Sequence, residues 1–270
     1  METGMKGHTA LITGGSSGIG LGVARALAQE GVHLAIASRN PTPEAIEDLR
    51  KYGIDVFPVR ADVAKEEQVV SMVAETINHF GSLNYYVNNA AWEWHEPVTQ
   101  LSTEAWLNTI HTNLSACVWA CREVARHMIQ RGQGSILIVG STASLHPLYK
   151  ESSYRVSKTG LIAYSEVLAI ELAPYNIRVN VIIPGAFVTR ITEAFFSGEK
   201  SEVLKKDIPM KRIGNPDECG PASVLLLSDR LSSYTTGGVL IVDGGVHLRP
   251  HEMYTEKDIL EMNSPGSWRS

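Results

Sequence analysis

Thr9-Ala10-Leu11-Ile12-Thr13-Gly14-Gly15-Ser16-Ser17-Gly18-Ile19-Gly20 decides the fold. An apolar run of strand character ends in a glycine-rich turn, and residues 21–30 follow with a helical pattern. Residues without a Cβ let the chain turn sharply while its N–H groups stay exposed. The N-terminus of the helix then faces outward, where it suits a pyrophosphate. The pattern is Gly14-x-x-x-Gly18-x-Gly20 rather than the commoner Gly-x-Gly-x-x-Gly. Alone it is weak, but here it sits between a strand and a helix, the context such a motif requires.

Working outward, apolar strand-like runs recur at 33–38, 55–59, 83–87, 135–139, 177–183 and 239–242, and helical patterns fill 44–52, 65–80, 104–130, 153–173 and 216–228. Alternation of this kind with short connections predicts an α/β fold: a single Rossmann-type, doubly wound parallel sheet of about seven strands with helices on both faces. No repeat or low-complexity tract suggests a second domain. Residues 1–250 are expected to form one domain that binds a dinucleotide at the glycine turn. Residues 251–270 are expected to form a tail or an arm; Met253, Tyr254, Ile259, Leu260 and Trp268 favour an arm packed over a neighbouring subunit.

The chemistry is carried by Ser141, Tyr154 and Lys158. Tyr154 and Lys158 are four apart on a predicted helix and share a face. A phenol titrates near 10, and a neighbouring ammonium is expected to lower that value towards a range useful for proton exchange. Ser141, just past the strand at 135–139, is placed to hydrogen-bond the oxygen of a reacting carbonyl. Either element alone says little; beside the glycine turn they point to one reaction.

From about residue 8 to about residue 245 the chain resembles the short-chain dehydrogenases/reductases, whose motifs it carries in the family's order. These are the glycine turn with Ser16, Ser17 and Ile19, then Asp62-Val63, Asn88-Asn89-Ala90, Asn113, the Ser141/Tyr154/Lys158 set, Pro184-Gly185 with Phe187 and Thr189, and Val242-Asp243-Gly244-Gly245. The resemblance implies that Asp62 and Val63 sit beside the adenine and that Pro184, Gly185, Phe187 and Thr189 hold the nicotinamide end. Asn89 and Ala90 are implied to border the cofactor. It further implies hydride transfer between a nicotinamide and a carbinol carbon. Ser141 would orient the carbonyl, Tyr154 carry the proton, and Lys158 tune Tyr154 and bind the ribose. Asn113 would hold a water that links Lys158 to solvent; a polar side chain stabilising a helix distortion is the other reading of that residue. One departure is Ala91, where the family usually has glycine.

Nucleotide choice rests on the end of the second strand. An acid there would bind the ribose hydroxyls and repel a 2′-phosphate, whereas an arginine accommodates that phosphate. The chain has Ser38 and Arg39, with no acid, so NADP(H) is expected over NAD(H).

The resemblance implies that residues 1–250 form the catalytic domain and that a substrate loop lies at about 187–215. It implies too that the substrate pocket is lined by the segments after Ala91, Ser141 and Pro184, which makes Trp92, Trp94, His95, Ser144, His146, Tyr149, Phe187, Phe195 and Phe196 its candidates. So aromatic a set suits an apolar or ring-bearing ketone or alcohol. Glu93, His95 and Glu96 could equally grip sugar hydroxyls, which keeps a sugar or polyol dehydrogenase open. The basic residues Lys200, Lys205, Lys206, Lys211 and Arg212 keep a reductase of 3-oxoacyl thioesters on an acidic carrier open as well. A noncatalytic dinucleotide-binding protein is the remote alternative.

Composition agrees. The chain has 270 residues, 44% of them hydrophobic and 20% charged, and a net charge of −5. That acidic balance leaves no basic stripe for nucleic acid. No apolar run reaches the roughly 18 residues needed to cross a bilayer, and no secretory pattern opens the chain, so a cytoplasmic location is expected. Cys117, Cys121 and Cys219 are too few for a disulfide framework. Cys117 and Cys121 are expected in core or subunit packing. His247 and His251 flank Pro250 and lack a third ligand, so no metal is expected. The resemblance implies a homotetramer built through helices 104–130 and 153–173 and the last strand, with Cys117, Trp119 and Tyr164 at the contacts.

Overall fold

The computed structural model describes residues 2–189 and 199–248. Seven strands form one sheet: β1 (Thr9–Thr13), β2 (His33–Ser38), β3 (Val56–Arg60), β4 (Tyr85–Asn88), β5 (Gly134–Val139), β6 (Ile177–Pro184) and β7 (Val239–Val242). Their order is β3-β2-β1-β4-β5-β6-β7, and every pairing is parallel. Observed strand ends lie within two residues of those expected, because strands buried on both faces read as unbroken apolar runs.

Side chains alternate between two cores, one on each face of the sheet. Leu11, Ile136 and Ile138 face one side, where α3 (Glu66–Phe80), α5 (Ala116–Arg131) and α6 (Ser152–Leu172) pack. Ala10, Ile12, Leu137 and Val139 face the other, under α1 (Gly18–Gln29), α2 (Pro43–Arg50) and α8 (Cys219–Leu227). Strand period two meets helix period 3.6 on each face. Buried Arg178 on β6 completes one junction, donating to the Leu226 and Leu227 carbonyls at 2.6 and 2.7 Å and pairing with Asp229. It thereby satisfies carbonyls at the end of α8 that the helix itself cannot.

The helix expected at 104–130 is interrupted. It consists of α4 (Thr103–Ile110), a π-helical turn at His111–Ser115, and α5. One further helix, α7 (Glu199–Asp207), lies beyond the segment at 190–198. Chain direction across the sheet reverses between β1 and β4, and ligands of open parallel sheets bind outside the carboxyl ends of the strands at such a point. Phe195, Phe196 and the tail at 251–270 lie outside the described residues.

Candidate active site

At the carboxyl ends of β1, β2, β4, β5 and β6 a single cleft of about 590 Å³ runs from the glycine turn to Tyr154 and beyond it, a size suited to a small-molecule site. Its cofactor side starts at the β1–α1 turn. Gly14 has φ +67°, a left-handed conformation that favours glycine, and its N–H donates to the Ala37 carbonyl at 2.7 Å. A Cβ on Gly20 would collide with the Gly14 carbonyl and the Asn89 amide. Asn89 ties β4 to this turn: its side-chain NH₂ donates to the Thr13 and Gly14 carbonyls at 2.9 and 3.2 Å. The backbone N–H groups of Asn89 and Ala90 both donate to the Thr13 hydroxyl. The Ser16 hydroxyl donates to that of Ser38 at 3.2 Å. Asp62 accepts from the Ala64 N–H at 3.1 Å, which shapes the entry to α3.

Most expected cofactor residues line the cleft: Gly14, Ser16, Ser17, Gly18, Ile19, Ser38, Arg39, Asp62, Val63, Asn89, Ala90, Pro184, Gly185, Phe187 and Thr189. Gly20 stands behind the wall, as the close packing requires. Gly185 donates its N–H to Val242 on β7, and the segment after it is held by a bridge between Phe187 and Gly214.

Ser141, Tyr154 and Lys158 meet in the same cleft. Ser141 follows β5 and accepts from the Ala143 N–H at 3.1 Å, which fixes its side chain. Tyr154, in the first turn of α6, lines the cleft beside it. Lys158 lies 5.7 Å from the centre of the Tyr154 ring and donates to the Val139 carbonyl at 2.9 Å. The expected lowering of the phenol is not what this arrangement produces. Burial pushes Tyr154 well above its ordinary value, the Glu93 charge adds to the push, and the neighbouring Ser141 side chain opposes it. Lys158 is itself buried, and burial pulls its ammonium down to about 8.

Asn113 occupies the π-helical turn and is buried. Its carbonyl oxygen accepts from the Trp92 N–H at 2.7 Å, and its NH₂ donates to the Trp92 carbonyl and the Ser157 hydroxyl at 2.9 and 3.0 Å. The side chain thus anchors the loop after β4 to α6. π-turns of this kind recur at functional sites.

On the substrate side Trp92, His95, Tyr149 and Phe187 line the cleft as expected. Three other candidates do not. Trp94 turns outward and packs edge-on against Trp92, their centroids 5.9 Å apart. Ser144 is buried, donating to the Ser141 carbonyl, and His146 donates to the His247 carbonyl at 2.6 Å. Cys117 is fully buried in the core rather than at a surface, its sulfur 3.8 Å from that of Cys121. Of the basic cluster after the substrate loop, Lys205 pairs with Glu202 and Arg212 with Glu218.

Sequence reasoning missed Glu151. It lies just before α6, lines the cleft, and joins Glu93 and His95 in a group whose ligand atoms fall within 4.8 Å of one another. Burial pushes its carboxyl up to about 7, with the Glu93 charge adding to the shift and His95 and Arg155 opposing it. His95 is raised in turn, chiefly by its hydrogen bond to Glu93. The available signal was a carboxylate three residues before Tyr154. Leu204 and Val246 also reach the cleft from distant parts of the chain.

A doubly wound parallel sheet with a glycine turn, a tyrosine–lysine pair and a serine in one cleft defines a nucleotide-dependent oxidoreductase site. Comparison with known proteins agrees. The family model described as enoyl-(acyl carrier protein) reductase matches residues 14–247. The chain is 40% identical over 239 residues to a 3-oxoacyl-[acyl-carrier-protein] reductase of Bos taurus, covering 88% of this chain and 97% of that protein. It is 34% identical over 249 residues to dehydrogenase/reductase SDR family member 4 of Sus scrofa, covering 91% and 89%. Among solved structures, L-sorbose reductase of Gluconobacter frateurii, complexed with NADPH and L-sorbose, is 34% identical with a TM-score of 0.85, covering 92% of this chain and 99% of that one. The chain belongs to the short-chain dehydrogenase/reductase family of oxidoreductases.

Proposed function

We propose that the protein is an NADP(H)-dependent oxidoreductase that interconverts a ketone and a secondary alcohol, with Tyr154 as the general acid and base. The observation that carries this reading is the meeting of Ser141, Tyr154 and Lys158 in one cleft, with the Lys158 ammonium 5.7 Å from the centre of the tyrosine ring. Two hydroxyls on the wall of one cleft can both reach one oxygen atom, and a carbonyl supplies it.

The residues present fit a nicotinamide dinucleotide. The space a Gly20 side chain would fill is closed by Gly14 and Asn89, so the turn keeps its backbone shape for a pyrophosphate at the start of α1. Ser38 and Arg39 lie on the cleft wall without an acid beside them, which supports NADP(H). The dinucleotide, when bound, supplies or accepts the hydride. In reduction Ser141 donates a hydrogen bond to the carbonyl oxygen as negative charge develops there. Tyr154, which burial keeps protonated, transfers its proton to that oxygen, and the resulting phenolate faces the Lys158 ammonium. Oxidation runs these steps backwards. Asn113 keeps the loop carrying Trp92 against α6, and thereby sets the wall opposite the reacting carbon.

Self-association into a homotetramer and a cytoplasmic setting belong to the same proposal. Exposed Val167 and Ile170 on α6 and Val239 on the open edge strand β7 support self-association. None of the helices among the described residues is long and apolar enough to cross a membrane. Light scattering that returned a monomer would remove the oligomer from this proposal.

The function is tested by following NADPH and NADH at 340 nm against cyclic, aromatic, sugar-derived and 3-oxoester carbonyls. Turnover with NADPH that disappears in Tyr154→Phe is the expected result. A clear preference for NADH would overturn the cofactor assignment, and full activity in Tyr154→Phe would overturn the mechanism.

A further inference from the structure

The cleft holds a second group of ionisable side chains that the hydride reaction does not use. Glu93 and His95 come from the loop after β4, and Glu151 from the start of α6. The Glu96 N–H, donating to the Lys150 carbonyl at 3.0 Å, staples the two segments together. His95 stands between the carboxylates, with Nε2 3.2 Å from Glu93 Oε1 and Nδ1 3.7 Å from Glu151 Oε1. Glu151 is only 7% exposed, yet its other oxygen, Oε2, has no hydrogen-bond partner. A buried acceptor without a donor is costly. On the wall of a substrate cleft, the donor it lacks is one a ligand can bring.

Resting on the ketone–alcohol reading above, we propose that Glu93, His95 and Glu151 form a hydroxyl-recognising subsite. It selects neutral substrates that carry a hydroxyl within one or two carbons of the reacting carbonyl, as a ketose or its polyol does. Glu151, just before α6, and Tyr154, in its first turn, line the same cleft, so a substrate oxygen held by Tyr154 brings its neighbouring carbons towards Glu151. Carboxylate oxygens only accept, so a substrate hydroxyl fits them. A 3-oxoacyl thioester offers only acceptors beside its ketone and meets an accepting wall. Substrate carboxylates and phosphates meet the Glu93 carboxylate and, once it is ionised, that of Glu151 as like charges. A metal ion suits the geometry less well, because His95 directs one ring nitrogen at each carboxylate, and ligation would turn it away from both.

The test compares kcat/KM with NADPH for matched ketones, hydroxyacetone against acetone and 2-hydroxycyclohexanone against cyclohexanone, with ethyl acetoacetate as the 3-oxoester. The wild-type protein is expected to prefer the hydroxylated member of each pair by about 30-fold or more, since sites built to bond a hydroxyl reject analogues that lack it. Glu151→Gln keeps the shape and is expected to shrink the preference to about threefold or less, through KM for the hydroxy ketone, with KM for NADPH unchanged. Glu93→Gln is the second variant and is expected to act in the same direction. Equal kcat/KM within the pairs, or a preference that both variants retain, would overturn the subsite. So would a preference that EDTA abolishes and Mn²⁺ restores, which would assign the trio to a cation. Failure of the underlying function looks different: activity then survives in Tyr154→Phe. Should no ketone of the panel turn over, saturation-transfer NMR on the protein loaded with NADP⁺ decides. Transfer to 2-hydroxycyclohexanone but not to cyclohexanone, lost in Glu151→Gln, supports the subsite, and equal transfer to both overturns it.

Discussion

On the cofactor side of the cleft Asn89 has its NH₂ on two carbonyls of the glycine turn, and Thr13 accepts two backbone N–H groups. On the substrate side, Glu151 keeps a buried oxygen without a donor. One half is complete by itself. The other carries groups whose partners come from outside the protein. Polar atoms satisfied within the fold make a rigid binding frame, whereas unsatisfied ones beside it mark where specificity is decided.

The largest expected effect lies where the halves meet. Tyr154→Phe removes the proposed proton carrier and leaves the glycine turn untouched. We expect kcat to fall by about 10³-fold or more, since general acid–base catalysis supplies factors of that order. The dissociation constant for NADPH, read by fluorescence titration, should stay within about twofold. A large loss of nucleotide affinity would show that the two halves are not separable in this way.

Within the cofactor half, Gly20→Ala drives a methyl into the Gly14 carbonyl and the Asn89 amide. Overpacking against backbone costs about 1–3 kcal/mol, so a lower urea midpoint and weakened NADPH binding are both expected. Unchanged binding would mean that the turn yields easily and is not the rigid frame described here. Ser38→Asp acts more gently, placing a carboxylate where a 2′-phosphate would lie. We expect the NADPH-to-NADH ratio of kcat/KM to fall by about 30-fold, the effect of bringing a like charge against a charged group. A ratio that does not move would place nucleotide choice elsewhere.

The same division explains what the sequence disclosed. The glycine turn, the strands and Tyr154 with Lys158 were legible because each rests on local rules: buried parallel strands read as apolar runs, and residues four apart share a helix face. The π-turn at His111–Ser115 was not, because one extra residue in a helical turn leaves the apolar pattern of residues 104–130 almost unchanged, and Asn113 acquires its role only by meeting Trp92 and Ser157. The height of the Tyr154 titration was also hidden. Spacing shows that a lysine is near, but only packing shows that burial outweighs it. Glu151 belonged to no recognised pattern, and its importance depends on Glu93 and His95, more than fifty positions earlier in the chain. Leu204 and Val246 enter the cleft through tertiary packing alone.

The remaining expected effect is on stability, and it separates the halves most sharply. The carboxyl of Glu151 is pushed up to about 7 in the folded protein, above its ordinary value. A group raised in this way favours folding while protonated, and that contribution is lost as pH rises through the folded value. The charged groups facing it are Glu93, which adds to the shift, and His95 and Arg155, which oppose it. Glutamine in its place cannot ionise, so Glu151→Gln should match the wild-type protein near pH 4.5. It should exceed it by about 3 kcal/mol above pH 8, the free energy of raising a carboxyl from its ordinary value to about 7. Calorimetry should show this as a gain in Tm of about 5 °C at high pH that shrinks on acidification. A gain equal at both pH values would point to packing instead of charge, and a loss of Tm at high pH would mean that the Glu151 carboxylate is stabilised by its surroundings. The gain expected at high pH is the counterpart of the specificity assigned to this residue, because an acceptor held ready for a substrate hydroxyl opposes folding until that hydroxyl arrives.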